Sequence, residues 1–202
     1  ITPDGKKLRV STEKVTYLPG SIGTLDGLET LILSECSQLL ELPDAISGLK
    51  ALTMLDLSEC ASLTKLPAAI GELKALMTLN LYGCSTLAEL PATIGRLKAL
   101  SYLCLSNCTS LEALPEEIGG LVALKELYLD DCSKLVALPD GVGGLSALTT
   151  LRLDDCPCLT YPPKDMHGDL RKMKRYLASV KAILDGTATL AEVGDDERKF
   201  FF

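Results

Sequence analysis

The eight cysteines of this chain are its most reactive residue type, because a thiolate can bind zinc, form a disulfide or act as a nucleophile. Six of them recur at an unbroken spacing of 24 residues: Cys36, Cys60, Cys84, Cys108, Cys132 and Cys156. Zinc sites need pairs of ligands about two to four residues apart, which this spacing does not provide. Disulfides between neighbouring members would require the array to twist. We predict a ladder of buried free thiols, each able to reach a loop carbonyl.

The other chemically capable residues do not assemble a catalytic centre. His167 is the only histidine, so a Ser-His-Asp or Cys-His centre has one possible base, and the repeated segments supply no partners for it. Cys104 is expected on the open face of a sheet as an exposed or half-buried thiol, and Cys158 also lies outside the ladder. Asn107 begins a glycosylation sequon that we discount, because Cys108 is a predicted core position. We therefore expect no enzyme activity, no metal and no cofactor.

A 24-residue repeat determines where these side chains lie. Six copies run in unbroken register and begin at Leu25, Leu49, Leu73, Leu97, Leu121 and Leu145. Each is close to L-x-A-L-x-x-L-x-L-S-x-C-x-x-L-x-x-L-P-x-x-I-G-x. Self-similarity at a fixed period of this length is typical of a solenoid, in which stacked repeats bury one continuous core.

Within one repeat, the hydrophobic pattern predicts a strand followed by a helical turn. Leu55 and Leu57 alternate with Met54, Asp56 and Ser58, as in a strand that buries one face. Pro67 suits the start of a short helix, Ile70 supplies the inner side of that helix, and Gly71 eases the return to the next strand. The predicted fold is an α/β solenoid, a curved horseshoe with a parallel concave sheet and short helices or 3₁₀ turns on the convex side.

Both ends of the chain depart from the repeat and are predicted to be caps. Residues 1–24 form a degenerate N-terminal capping coil, in which Leu8 and Val10 fit the strand pattern if one residue is deleted. Residues 25–168 hold the six repeats, and residues 169–202 form a C-terminal capping helix and tail. The apolar stripe of this helix comprises Leu170, Met173, Leu177, Val180 and Leu184.

The basic residues of this helix are expected mostly to face away from the stripe: Arg171, Lys172, Lys174, Arg175 and Lys181. This basic face leaves membrane or calmodulin binding as an alternative to capping. An open leucine core must be covered, however, which favours the cap. The role of the phenylalanines at 200–202 stays open.

The phrase L-x-x-L-x-L-S-x-C-x-x-L-x-x-L-P-x-x-I-G-x-L resembles the intracellular leucine-rich repeats of plant nucleotide-binding immune receptors. It is also similar to the Ras-group leucine-rich-repeat proteins, whose repeats are one residue shorter. The resemblance covers about residues 8–168. It implies ligand recognition on the concave sheet and regulation of an attached signalling domain, although no G-x-x-x-x-G-K-[ST] loop, kinase motif or GTPase motif occurs in this sequence.

Composition narrows the class of partner. The net charge of −7 argues against a protein that binds nucleic acid, which needs a basic stripe. No apolar run reaches the roughly 18 residues of a membrane span, and we expect neither membrane nor nucleic acid as a partner. An array of unpaired thiols suits a reducing compartment, so a cytoplasmic location is expected. The first residue is Ile1, which indicates a fragment of a longer protein.

Strand positions that flank the buried leucines face the concave side, and they vary while the framework does not. The candidate binding residues are Tyr82, Tyr102, Tyr128, Glu126, Asp130, Asp131, Arg152, Asp154 and Asp155. The tyrosines lie on three adjacent strands and are predicted to form an amphipathic patch. The carboxylates are either a site for Lys or Arg or a solvated acidic rim. Lys50, Lys74 and Lys98 form a column on the opposite edge of the coil.

The sequence therefore predicts a non-catalytic protein-binding module, part of a larger intracellular signalling or immune-like protein. Its partner is expected to be a protein of basic or mixed charge that lies on the concave sheet. The alternative is the regulatory arm of a kinase, a GTPase or a nucleotide-switch protein whose catalytic domain lies outside these residues.

Overall fold

The computed structural model describes Thr2 and residues 4–189, and this part of the chain forms one open sheet of seven parallel strands. The strands lie side by side in chain order and have three residues each: β1 Lys7–Arg9, β2 Thr30–Ile32, β3 Met54–Asp56, β4 Thr78–Asn80, β5 Tyr102–Cys104, β6 Glu126–Tyr128 and β7 Thr150–Arg152. The parallel sheet predicted from the repeat is confirmed.

A constant register places equivalent leucines side by side. Leu31 pairs with Leu55 and Leu55 with Leu79, at the spacing of the repeat. In the first coil Leu8 pairs with Leu31, one residue short of that spacing, so the deletion lies between β1 and Pro19. Because the register is constant, side chains at one position of the repeat form columns that cross the sheet.

Short 3₁₀ helices form the opposite side of the solenoid. In the described residues they span Gly20–Thr24, Asp44–Gly48, Ala68–Glu72, Ala92–Arg96, Glu116–Gly120, Asp140–Gly144 and Lys164–Met166. Each follows a proline, such as Pro67 with φ −67° and ψ 149°. Proline fixes φ near this value and lacks an N–H that the first turn does not need. The Leu-Pro motif therefore predicted the position of these helices, and of the two types left open by the sequence the structure shows the 3₁₀ helix.

Gly71 has a stricter role than easing the return of the chain. A Cβ atom at this position would lie 2.5 Å from the carbonyl oxygen of Thr93 in the next coil. Neighbouring coils thus approach backbone to backbone, and a side chain at this position would push them apart.

The core is a continuous stack of leucines between the sheet and the 3₁₀ helices. Within one repeat Leu49, Leu52, Leu55, Leu57 and Leu63 expose no surface to solvent. Each such burial stabilises the fold by about 1.5–3 kcal/mol relative to an exposed side chain. A single coil has no second layer to cover its leucines, so this stability depends on the coils above and below it.

The helix α1 spans Leu170–Leu184 and follows the last strand. It begins at Asp169, whose carboxylate accepts a hydrogen bond of 2.9 Å from the backbone N–H of Lys172. This N-cap satisfies one of the unpaired donors of the first turn. No helix in the described residues is both long enough and apolar enough to cross a membrane. The phenylalanines at 200–202 lie outside the described residues.

The buried face of α1 covers only part of the predicted apolar stripe. Met173, Tyr176 and Leu177 are buried, and the helix packs against the 3₁₀ helix Asp140–Gly144. Leu184 was predicted to belong to this face, but it is 74% exposed. The prediction was wrong for Leu184 because the buried residues lie in the first half of the helix and its last turn extends beyond the contact.

Lys174 was expected to face solvent with the other basic residues of α1, but it folds back onto the last repeat. Its Nζ donates to the carbonyl of Leu145 at 2.5 Å and lies 3.5 Å from that of Leu148. Partial burial lowers the pKa of Lys174. One of the basic residues of α1 is thus bound to the backbone of the last repeat.

Candidate protein-binding surface

The ladder cysteines lie where each strand turns into the following connection, and each donates its S–H to the coil before it. The Sγ of Cys60 is 3.2 Å from the carbonyl oxygen of Leu33, and that of Cys132 is 3.2 Å from that of Leu105. The equivalent bonds of the others measure 3.0–3.6 Å: Cys36, Cys84, Cys108 and Cys156. All are buried except Cys156, which is half-buried. The predicted contact with a loop carbonyl is confirmed.

This environment makes the fully buried thiols in the middle of the ladder chemically inert. Burial, together with the neighbouring ladder thiol, raises the pKa of Cys60 and of Cys132 to about 12. The same causes raise the pKa of Cys84 and of Cys108. The thiolate is the nucleophile and the metal ligand. At neutral pH these residues therefore pack and join coils, and they supply no reactive group.

Cys104 faces the concave side of the sheet, as predicted, yet it is only 6% exposed. It pairs in register with Tyr128 on β6 and follows Tyr102 on its own strand. The two rings meet with centroids 5.4 Å apart and cover the small thiol. The prediction of an exposed or half-buried thiol is wrong, because the aromatic side chains on either side are much larger than cysteine.

Tyr102 and Tyr128 form the aromatic centre of the concave face. The hydroxyl of Tyr128 donates to Oε2 of Glu126 at 2.7 Å, and this bond is the main cause of its raised pKa. Burial, and next the neighbouring thiol of Cys104, raises the pKa of Tyr102 to about 12. Both phenols therefore stay neutral at physiological pH and present apolar area with a polar edge.

Tyr82 lies apart from this pair. It is 40% exposed at the end of β4, and its backbone N–H donates to Oδ1 of Asn80 at 3.1 Å. No ring contact joins Tyr82 to another tyrosine among the described residues. The structure thus brings together two of the three predicted tyrosines, and we call Tyr102 and Tyr128 the tyrosine pair.

Arg152 lies between two of the predicted carboxylates and pairs with both. Its Nε is 3.6 Å from Oδ1 of Asp130, and its guanidinium also donates to Asp154. These carboxylates, Asp154 first, raise the pKa of Arg152. Asp130 further accepts a hydrogen bond from Ser106 Oγ at 3.3 Å and from the backbone N–H of Asp154 at 3.1 Å. Sequence reasoning named these residues but missed the network that joins them.

A signal for this network was present in the sequence. Residues two apart on a strand share a face, which places Arg152 beside Asp154. The constant register places Asp130 in the same column as Asp154. The cluster is consequently less acidic than its composition suggests.

Asp131 and Asp155 are exposed, as Asp154 is, but unlike Asp154 they form no ion pair within the described residues. Both have positive φ, 60° and 54°, where the chain leaves the strand. The same position of other repeats is also left-handed, at Glu35, Glu59, Gly83 and Asn107. Asp and Asn tolerate this conformation better than most residues. We call this column the rim.

The lysine column on the opposite edge has a local role. Lys98 Nζ donates to the carbonyls of Gly95 at 2.8 Å and of Gly120 at 2.7 Å, in two adjacent coils. Lys74 Nζ donates to the carbonyl of Gly71 at 2.5 Å, whereas Lys50 is exposed. Cations here satisfy the carbonyls at the ends of the 3₁₀ helices.

His167 is tied to the backbone, and its Nε2 lies 2.7 Å from the carbonyl oxygen of Pro162. In the part of the chain that the structure describes, no three side chains of His, Cys, Asp or Glu converge in a way that could hold a metal ion. The concave face therefore offers contact area, hydrogen bonds and charge.

The fold and this surface define a leucine-rich-repeat solenoid, and the chain belongs to the leucine-rich-repeat proteins. The family profile described as "Leucine-rich repeat region" matches residues 54–152. Domains of this family are generally non-catalytic modules that bind proteins. No curated protein matches the sequence.

Solved structures show the same architecture. The leucine-rich-repeat domain of the type III effector XopL is 34% identical with a TM-score of 0.64, over 74% of this chain and 52% of that one. A leucine-rich-repeat protein of Leptospira interrogans is 30% identical with a TM-score of 0.56, over 83% and 47%. The chain thus spans about half the length of each. Toll in the Toll–Spätzle complex of Drosophila is similar in fold, at 22% identity, a TM-score of 0.60, and coverage of 73% and 20%.

Proposed function

We propose that this chain is a non-catalytic recognition module that binds a protein of basic or mixed charge on its concave sheet. The observation that carries the proposal is the tyrosine pair, where two half-buried rings in contact lie on β5 and β6, in the half of the face that carries most of its carboxylates. Buried aromatic residues dominate the binding energy of many interfaces. Adjacent carboxylates add selectivity for Lys and Arg.

The geometry of the tyrosine pair suits a binding site that is formed before the partner arrives. Tyr102 is held by its neighbours on β5 and β6, and Tyr128 is held by its hydrogen bond to Glu126. Side chains that are already ordered lose little rotamer freedom on association. Because both point away from the leucine core, their removal leaves the framework of the fold intact.

The wider setting that we propose is a larger intracellular signalling or immune-like protein in the cytoplasm. The support for this location is the row of buried free thiols, which a reducing compartment preserves. The alternative setting is a regulatory arm attached to an enzyme domain. The sequence of the full-length gene would distinguish the two settings. A kinase, GTPase or nucleotide-binding motif beyond the 202 residues would establish the alternative.

The binding surface is tested by truncation of the tyrosine pair. A partner is first captured with the wild-type chain and purified, and its affinity is then measured for Tyr102→Ala and Tyr128→Ala. We expect each change to weaken binding by roughly 30-fold, about 2 kcal/mol, while the melting temperature stays nearly unchanged. The matched control is Tyr17→Ala, because Tyr17 is 73% exposed and lies outside the sheet. Equal loss at Tyr17, or none at the tyrosine pair, would contradict the proposal.

A further inference from the structure

The first strand of the sheet carries positive charge that no neighbour in the described part of the chain neutralises. On β1 the side chains of Lys7 and Arg9 are exposed on either side of the inward Leu8. Their register with Thr30 and Ile32 places them on the concave face. Neither residue forms an ion pair within the described residues. We call Lys7 and Arg9 the basic pole.

The far end of the same face is negative. There Arg152 pairs with Asp130 and Asp154, and the rim beside them adds the carboxylates of Asp131 and Asp155. Asp131 and Asp155 are exposed and make no ion pair among the described residues, so they form what we call the acidic pole. The net charge of the face thus changes sign between β1 and β7.

Between the poles, the strand positions of the concave face are largely uncharged. Asp56 is the one carboxylate on strands β2–β5, and it accepts hydrogen bonds from Asn80 at 3.1 Å and from the backbone N–H of Ser58 at 3.0 Å. The rim remains acidic at Glu59 and Glu35, so the sign changes at β1 itself. The tyrosine pair lies nearer to the acidic pole.

The dimensions of the face limit what can lie on it. Six strand spacings of about 4.8 Å separate β1 from β7, a distance of roughly 29 Å, whereas a strand of three residues is only about 10 Å long. The face is therefore a long, narrow strip. An extended peptide covers it with about nine residues at ~3.3 Å each, and a helix would need about 20 at ~1.5 Å each.

We infer that the partner presents an extended segment of about nine residues that is acidic at one end and basic at the other, with apolar residues between. Its acidic end lies over the basic pole and its basic end over the acidic pole. This inference rests on the proposed function and adds the chemistry and direction of the partner. Opposite poles also exclude uniformly basic segments, which β1 repels.

A random peptide library tests the inference without knowledge of the natural partner. Peptides of twelve residues are selected on the full chain, after removal of those that bind the Tyr102→Ala/Tyr128→Ala double variant. A helix of twelve residues is only about 18 Å long and cannot reach both poles. We expect selected sequences to carry acidic and basic residues in separate blocks at opposite ends. A matched peptide with the same residues in alternating order should bind at least tenfold more weakly.

Reversal of the poles then tests the direction of charge. We expect roughly tenfold weaker binding of a selected peptide, at low salt, to Lys7→Glu/Arg9→Glu and to Asp131→Lys/Asp155→Lys. The variant with all four changes should bind within about threefold of the wild type, because the peptide can lie in the opposite direction. Long side chains at the left-handed rim positions are tolerated, as Glu35 and Glu59 show.

The possible outcomes separate this inference from the proposed function. Two outcomes would overturn the inference alone. In the first, the selected peptides need the tyrosine pair but show no separation of charge. In the second, the quadruple variant binds as weakly as the two single-pole variants. If selection yields no peptide that depends on the tyrosine pair, both fail. Restored binding by the quadruple variant supports both the inference and the proposed function.

Discussion

Cysteine occupies three environments in this protein, and each environment sets a different reactivity. Ladder thiols such as Cys60 are buried and donate to a backbone carbonyl. Cys104 is covered by the tyrosine pair, and Cys158 is exposed. Because the thiolate fraction and the access of reagent control the rate of thiol chemistry, position in the coil decides which cysteine reacts.

Native thiol labelling tests this assignment. Iodoacetamide at pH 8 should modify Cys158 first and Cys156 more slowly, and it should leave Cys60 and Cys104 unmodified over the same time, as read by mass spectrometry. Tyr128→Ala should make Cys104 reactive by uncovering it, whereas the control Tyr17→Ala should not. Labelling of Cys104 as fast as Cys158 in the wild type would contradict the covered position.

The ladder also predicts loss of stability at alkaline pH. Burial raises the pKa of Cys60 and of Cys132 to about 12 in the fold from the ordinary thiol value of 9.0, so the unfolded chain loses its thiol protons first as the pH rises. Fewer protons on the unfolded state mean that the free energy of unfolding falls from about pH 9 towards pH 12. Each such thiol contributes a slope of about 1 kcal/mol per pH unit.

Urea unfolding at pH 7, 9 and 10.5 measures this slope. Cys60→Ala should lower stability at pH 7 through the cavity that it leaves, but it should make the alkaline loss less steep. Cys158→Ala is the matched control, because this thiol is exposed and should not contribute. An identical slope in all three proteins would show that the buried thiols are not the cause.

At the residue scale, the sequence predicted the environment of a side chain where the repeat fixes it. It did not do so where side chains on neighbouring strands determine burial or pairing. The burial of Cys60 and its bond to a carbonyl followed from a position repeated six times. The burial of Cys104 depends on which side chains flank it on β5 and β6. The pairing of Arg152 with Asp130 depends in the same way on a neighbouring strand. Such cross-strand contacts require the register of the sheet.

At the scale of elements, backbone contacts between coils and the cap explain where glycine is required. A Cβ atom at Gly143 would lie 2.5 Å from the backbone nitrogen of Ala178 in α1, whereas one at Gly144 would meet nothing within 4 Å. Both glycines belong to the same 3₁₀ helix. The helix α1 therefore sits directly on the backbone of the sixth 3₁₀ helix, through a gap that only glycine leaves open.

This pair of glycines gives an internally controlled prediction for the cap. Gly143→Ala should lower the free energy of unfolding by about 1–3 kcal/mol, because the added methyl group must displace α1. Gly144→Ala should change it by less than about 0.5 kcal/mol, since no atom opposes the methyl group. Chemical denaturation of the two variants and the wild type provides the measurement. Equal losses would mean that α1 does not rest on this helix as described.

The whole molecule depends on neighbour contacts, and this makes its last coil vulnerable. The α1 residues Met173 and Leu177 are fully buried, α1 packs against the 3₁₀ helix Asp140–Gly144, and Lys174 donates to the carbonyl of Leu145. A chain truncated before Asp169 should expose leucines of the last repeat and aggregate or unfold at lower temperature. Light scattering and thermal unfolding would detect this. If the truncated chain stays monomeric with an unchanged melting temperature, the capping role is wrong and α1 becomes a candidate for binding a partner or a membrane.

At this scale the sequence predicted the strands, the 3₁₀ helices and the direction of the sheet, because each was repeated six times in register. Leu184 and Lys174 were assigned to the wrong faces of α1. Helical periodicity defines the faces of a helix, but it does not show how far the surface beneath it extends. Positions that occur once in the chain were the ones that periodicity could not place.

The unbroken register has a consequence for the length of ligand that the protein can accept. Every coil meets its neighbour through the same bonds, including a thiol that donates to the preceding coil, as at Cys84 and Leu57. A further 24-residue unit inserted between β3 and β4 would therefore continue the stack and move β1 away from β7 by one strand spacing, about 4.8 Å. The number of repeats thus sets the length of the extended segment that fits the face, and each added coil lengthens that segment by about one and a half residues.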